Sequence, residues 1–150
     1  TWDDTNVITA IYGYGGRVAD SSGDDTEALT FADMVKRDIL PAVSDFAASL
    51  ASAISAKRAV APTLACRYES ELLEKLSALT DLAYVQVERL ETALAEVKAK
   101  GGDALQTAKA YRDMVLSAMT ELRTTVDAME PITSDEYWPY PTYADMLFYN

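Results

Sequence analysis

The chain has 150 residues, 49% hydrophobic and 25% charged, with six Gly, five Pro and 24 Asp plus Glu against 13 Lys plus Arg, a formal net charge of −11. That length suffices for one domain with its own core, and the composition excludes a collagen-like, low-complexity or disordered acidic chain. The absence of histidine removes His-based acid/base work, the Ser-His-Asp and Cys-His nucleophile systems and every His-containing metal site, while the lone Cys66 excludes a disulfide scaffold and suits a reducing compartment.

Residues 1–25 hold four of the six glycines, Gly13, Gly15, Gly16 and Gly23, and are expected to be a flexible or irregular arm. Asp24 and Glu27 have the spacing of a capping box for a first helix running to about Ala56. Leu29, Ala32, Met34, Val35, Ile39, Val43, Phe46, Leu50 and Ile54 supply its apolar face. Pro41 lacks a backbone donor and clashes with the carbonyl four residues back, which predicts a kink or a split there. Residues 57–67, with Pro62, are expected to connect. A second helix follows from about Tyr68 to Lys100, with Leu72, Leu73, Leu76, Leu79, Ala83, Val87, Leu90, Leu94 and Val97 in one stripe and Glu71/Lys75 and Glu96/Lys100 paired on the wet side. Gly101-Gly102 ends it, and Asp103 is placed to cap a third helix over about 104–130. So short a turn returns that helix antiparallel, with Leu105, Ala108, Tyr111, Val115, Ala118, Leu122, Val126 and Met129 facing the other two until Pro131 stops it.

The fold class is therefore all-α: an antiparallel bundle of three long helices over 26–131, the first kinked or split at Pro41, then an aromatic segment over 132–150. That segment puts six of the fourteen aromatic residues into thirteen positions. Tyr137, Trp138, Tyr140, Tyr143, Leu147 and Phe148 are the candidate docking residues, because so apolar a terminus must cover itself on its own bundle or on a neighbour. Thr142 is placed to cap one short helical turn near the end.

No constellation in the chain carries chemistry. The cluster Gly13-Tyr14-Gly15-Gly16 lacks the Gly-Lys-Ser/Thr of a phosphate loop. The run Asp20-Ser21-Ser22-Gly23-Asp24-Asp25 fails the calcium-loop pattern at its sixth and twelfth places, Asp25 and Phe31, and reads as a solvated turn. Glu71 and Glu74 have no His partners for a carboxylate-bridged metal centre and read as a charged outer face. Cys66, beside Arg67, has no catalytic companion. Catalytic, cofactor-binding and metal-binding residues are thus expected to be none. The strong negative charge disfavours nucleic acid and anionic membranes, and no run approaches about 18 uninterrupted apolar residues. With no targeting signal and no initiator Met, the chain is expected to be part of a longer one.

Several ordered segments resemble the C-terminal region of type III glutamine synthetase. They are Asp33-Met34-Val35-Lys36-Arg37-Asp38-Ile39-Leu40-Pro41-Ala42-Val43, Glu71-Leu72-Leu73-Glu74-Lys75-Leu76-Ser77, Ala110-Tyr111-Arg112-Asp113-Met114-Val115-Leu116 and, most specifically, the closing stretch from Glu136 to Phe148. The resemblance implies a cytoplasmic ligase that joins ammonia to glutamate with ATP and Mg or Mn, built as a homo-oligomeric dodecamer. Its catalytic barrel lies upstream, so ATP and metal belong to the parent enzyme and none of their ligands to this segment. The implied role is non-catalytic, in structure, subunit assembly or regulation, with the enzyme's own barrel and neighbouring subunits as partners. The alternative is a free-standing helical module for protein-protein interaction.

Overall fold

The computed structural model describes residues 21–141 and Asp145. The described residues are helical with no strand, in the order α1 (Ser21–Met34), a π-helical turn (Val35–Ile39), α2 (Leu40–Val60), α3 (Arg67–Lys100), α4 (Ala104–Ala110), a second π-helical turn (Tyr111–Leu116), α5 (Ser117–Met129) and a short 3-10 turn (Glu130–Ile132). Three rods result. The first is α1 to α2, the middle one is α3, and the third is α4 to α5.

The first rod departs from the sequence expectation at both ends. Helix α1 already includes Ser21 to Asp25, so Asp24 lies within the helix rather than just before it, and the acidic run from Ser21 onward is helical rather than a turn. The remainder of the anticipated arm, 1–20, lies outside the described residues. At the other end α2 continues to Val60, leaving only 61–66 as the connection.

At Pro41 the first rod passes from α1 through a five-residue π-helical turn into α2, so the break expected there takes the form of a π-turn. The N–H of Leu40 donates to the carbonyl of Val35, five residues back, which widens the turn just before the proline ring. A π-turn of this kind absorbs both the missing donor and the clash that an α-turn would suffer. Pro41 then occupies the start of α2, where its fixed φ is tolerated.

The middle rod has a neighbour along each side. Lys36 Nζ lies 2.8 Å from Glu91 Oε1, and Lys57 pairs with Glu69. A position early in the first rod thus meets one late in the middle rod, and the two run antiparallel. On the other flank the Thr125 hydroxyl donates to Gln86 Oε1 at 2.6 Å, and Arg89 Nη1 lies 3.8 Å from Glu121 Oε2. Here too rising numbers on one rod meet falling numbers on the other. One core forms between the rods, with Phe31, Ile39, Leu76, Leu90, Leu122 and Met129 its largest fully buried side chains.

The turn between the middle and third rods follows the sequence reading. Gly101 takes φ +46°, a conformation open to glycine at little cost. Asp103 Oδ1 accepts from the N–H of Gln106 at 2.8 Å, an N-cap that satisfies an orphan donor. The expected inward faces hold less well nearby. Leu105 is 65% exposed and α4 buries no residue, because this end of the hairpin projects past the core. Leu29 likewise turns outward, while Ala28 and Phe31 are buried.

Two polar pairs fix the register of the rods. Glu69 is buried and held by Lys57, so losing that lysine would leave a desolvated carboxylate. Gln86 and Thr125 are both buried and bond to each other, which penalises any slip that separates them. Stability measured by chemical denaturation checks the packing. Leu90→Ala should cost about 2–5 kcal/mol, whereas Leu105→Ala should stay within about 0.5 kcal/mol. Equal effects at the two positions would contradict the burial pattern.

Candidate functional site

The described part of the aromatic segment seats on its own rods. After Met129 the chain leaves the helix through Pro131. The Thr133 hydroxyl donates to the Met129 carbonyl (2.8 Å), and the N–H groups of Tyr137 and Trp138 donate to the Ser134 carbonyl at 2.9 and 3.0 Å. That local turn carries the three aromatic residues across to the first rod. The Tyr137 ring lies on Phe46 of α2 with centroids 5.3 Å apart and planes at 37°, a tilted contact of the kind aromatic quadrupoles favour. Trp138 is buried in the core at 7% exposure, and its indole N–H has no acceptor among the described residues. The Tyr140 hydroxyl donates to Asp38 Oδ2 at 2.5 Å, closing a loop from the chain's end to the π-turn of the first rod.

Of the six anticipated docking residues, Tyr137, Trp138 and Tyr140 are thus brought together against Phe46 and Asp38. Tyr143, Leu147 and Phe148 lie outside the described residues, as does the short turn placed at Thr142. No partner molecule is needed to account for the three that are described. What sequence reasoning missed is where they go, since Asp38 and Tyr140 are 102 positions apart and no periodicity links them.

The remaining candidates hold no concerted arrangement. Glu71 is paired with Arg67 (2.6 Å) rather than with Lys75, and Glu74 is exposed. Cys66 takes the left-handed conformation at φ +48° just before α3 and is partly buried. Among the described residues no group of His, Cys, Asp or Glu is placed to hold a metal ion. The glycine cluster at 13–16 falls outside them.

Two surface features had no sequence signal of their own. One is an open groove of about 590 Å³ at the seam of the first and middle rods, with Leu40, Pro41 and Ser44 facing Asp81, Tyr84 and Val85. Lys36 stands at its edge, and its hydrogen bond to Glu91, with that carboxylate's charge, holds the ammonium above its ordinary value of 10.5. A lysine raised in this way supports the fold below its ordinary value for as long as its carboxylate partner is ionised, and that support is lost as pH rises through the raised value. The other feature is the stretch Glu27–Val60, which is long and apolar enough to cross a membrane by length and composition alone. The absence of a long uninterrupted apolar run hid it, because small residues carry much of its apolarity. Core side chains of the protein use one face of it, through Phe31, Ile39, Val43, Phe46 and Leu50.

Removing the Trp138 indole should cost about 3–5 kcal/mol as a cavity in the core. Tyr140→Phe, which loses one partly exposed hydrogen bond, should cost about 1 kcal/mol. Thermal unfolding of the two variants distinguishes them, and a Trp138→Ala protein as stable as the parent would remove the segment from the core.

No family model matches the chain, and no solved structure matches it. Among curated proteins, a glutamine synthetase from Butyrivibrio fibrisolvens is 31% identical over 125 residues, covering 81% of this chain and 17% of that protein. The resemblance borne by the residues therefore holds: most of this chain is related in sequence to part of a glutamine synthetase. It spans a small share of its relative's length.

Proposed function

We propose that this chain is the C-terminal helical region of a type III glutamine synthetase and serves the structure, subunit assembly or regulation of that enzyme without taking part in its chemistry. The observation that supports the reading is the 31% identity across 81% of the chain. In the parent enzyme, ATP-dependent ligation of ammonia to glutamate would be run by residues outside this segment, in the cytoplasm, with divalent metal bound there as well. This segment contributes no histidine and a single cysteine, a poor inventory for either task.

In this reading the three rods are one antiparallel bundle that the aromatic segment closes. The partners are the catalytic barrel and neighbouring subunits of a dodecamer. A bundle with its stripes buried on one another is rigid enough to hold such parts at fixed separation, the middle rod alone being roughly 50 Å long at about 1.5 Å per residue.

The test compares the full-length enzyme, the same enzyme without the residues matching 27–141, and the 150-residue chain alone. The chain alone should form no glutamine and bind neither ATP nor manganese with micromolar affinity in calorimetric titration. The shortened enzyme should lose oligomer and activity together, because activity depends on assembly. A shortened enzyme that assembles and works normally would contradict the proposal and favour a free-standing interaction module.

A further inference from the structure

With Tyr137, Trp138 and Tyr140 committed to the protein's own rods, the described residues offer a second surface suited to docking. We propose that it is the connected end of the first and middle rods, residues 57–68, and that it docks on another part of the parent enzyme that presents a carboxylate beside an apolar pocket. The proposal rests on the reading of the chain as part of a glutamine synthetase.

Three large apolar side chains stand exposed within nine residues there: Val60 at 88%, Leu64 at 46% and Tyr68 at 69%. Exposed apolar side chains gathered at one rigid end mark an interaction surface more strongly than the same residues scattered singly. The loop that carries them is already shaped. The N–H of Ala61 donates to the Lys57 carbonyl (2.9 Å), that of Leu64 to the Ala61 carbonyl (3.1 Å) and that of Ser70 to the Cys66 carbonyl (2.9 Å). Arg58 binds the loop from the helix side, its Nε 3.4 Å from the Leu64 carbonyl and its Nη2 3.3 Å from that of Ala65. The Lys57–Glu69 pair ties the two rods together beneath it. A loop held in this way loses little conformational freedom on docking, so more of its contact energy appears as affinity.

Charge selects the partner. The protein carries −11, yet no acidic residue falls between Asp45 and Glu69. Lys57 is compensated by Glu69 and Arg67 by Glu71. Arg58 touches only the Leu64 and Ala65 carbonyls among the described residues and has no carboxylate beside it there. A guanidinium with free N–H groups beside exposed Val60, Leu64 and Tyr68 matches a carboxylate at the rim of an apolar pocket. An anionic membrane is the poorer match, since lipid-binding surfaces gather about 4–8 basic residues and the acidic body would be repelled.

Amide hydrogen exchange over 57–68, compared between the 150-residue chain and the full-length enzyme carrying it, tests the inference. Exchange should be at least about tenfold slower in the full-length enzyme, and Arg58→Glu should abolish the difference. Because Arg58 also braces the loop, Val60→Ser provides a second variant at an open position, and it should reduce the protection without changing the melting temperature of the 150-residue chain. Equal exchange in both proteins, with the enzyme assembled and active, would overturn the docking surface while leaving the parent reading intact. An enzyme that assembles without this segment would overturn the parent reading instead. Binding of the 150-residue chain to phosphatidylserine vesicles, lost on Arg58→Glu, would replace the protein partner with a membrane and so refute the proposal.

Discussion

Burial of the middle rod on two sides is the constraint from which the rest of the structure follows. A 34-residue helix (Arg67–Lys100) with Leu76, Ala83, Val87, Leu90, Leu94 and Val97 buried cannot hide such a stripe alone, so each neighbouring rod must lie along it. Antiparallel neighbours then become the economical answer, because short connections at 61–66 and 101–103 bring the chain straight back. The polar pairs are secondary in energy but decisive for alignment. Lys57–Glu69 sets the first rod against the middle one, and Gln86–Thr125 sets the third, since each leaves a buried polar group unsatisfied if the rods slide.

The two π-helical turns show how local chemistry yields to that packing. Val35–Ile39 sits immediately before Leu40-Pro41, where a regular helix would clash, and both Val35 and Ile39 are buried. Widening one turn lets the rod stay continuous and keep both in the core. The second turn, Tyr111–Leu116, likewise keeps Tyr111 and Val115 buried where α4 joins α5. In both cases the core face is preserved at the expense of ideal helix geometry, consistent with tertiary packing outweighing local backbone preference.

Much of the fold was legible in the sequence because its signals are local. The Leu stripe of the middle rod, the Gly101 turn and the Asp103 cap each depend on residues within a few positions of one another. The form of the break at Pro41 was not legible, since an α-turn and a π-turn before the proline satisfy the same side-chain pattern and differ in which carbonyl the Leu40 N–H reaches. The candidate site divides in the same way. Apolarity made Tyr137, Trp138 and Tyr140 conspicuous, but their partners Phe46 and Asp38 are distant in the chain and unmarked by any motif. The acid-free run between Asp45 and Glu69 was present in the sequence, yet it gains meaning only when Val60, Leu64 and Tyr68 are found exposed on a braced loop.

Fold and proposed role meet in one physical claim: the described residues form a helical body organised by its middle rod, with Tyr137, Trp138 and Tyr140 seated on it. Residue-resolved native-state hydrogen exchange on the 150-residue chain tests this most directly. The slowest amides should be those of 76–94 in the middle rod, exchanging only by global unfolding, with the flanks of α2 and α5 close behind and the Lys98–Ala110 hairpin far faster. Middle-rod amides that exchange as quickly as that hairpin would contradict the account.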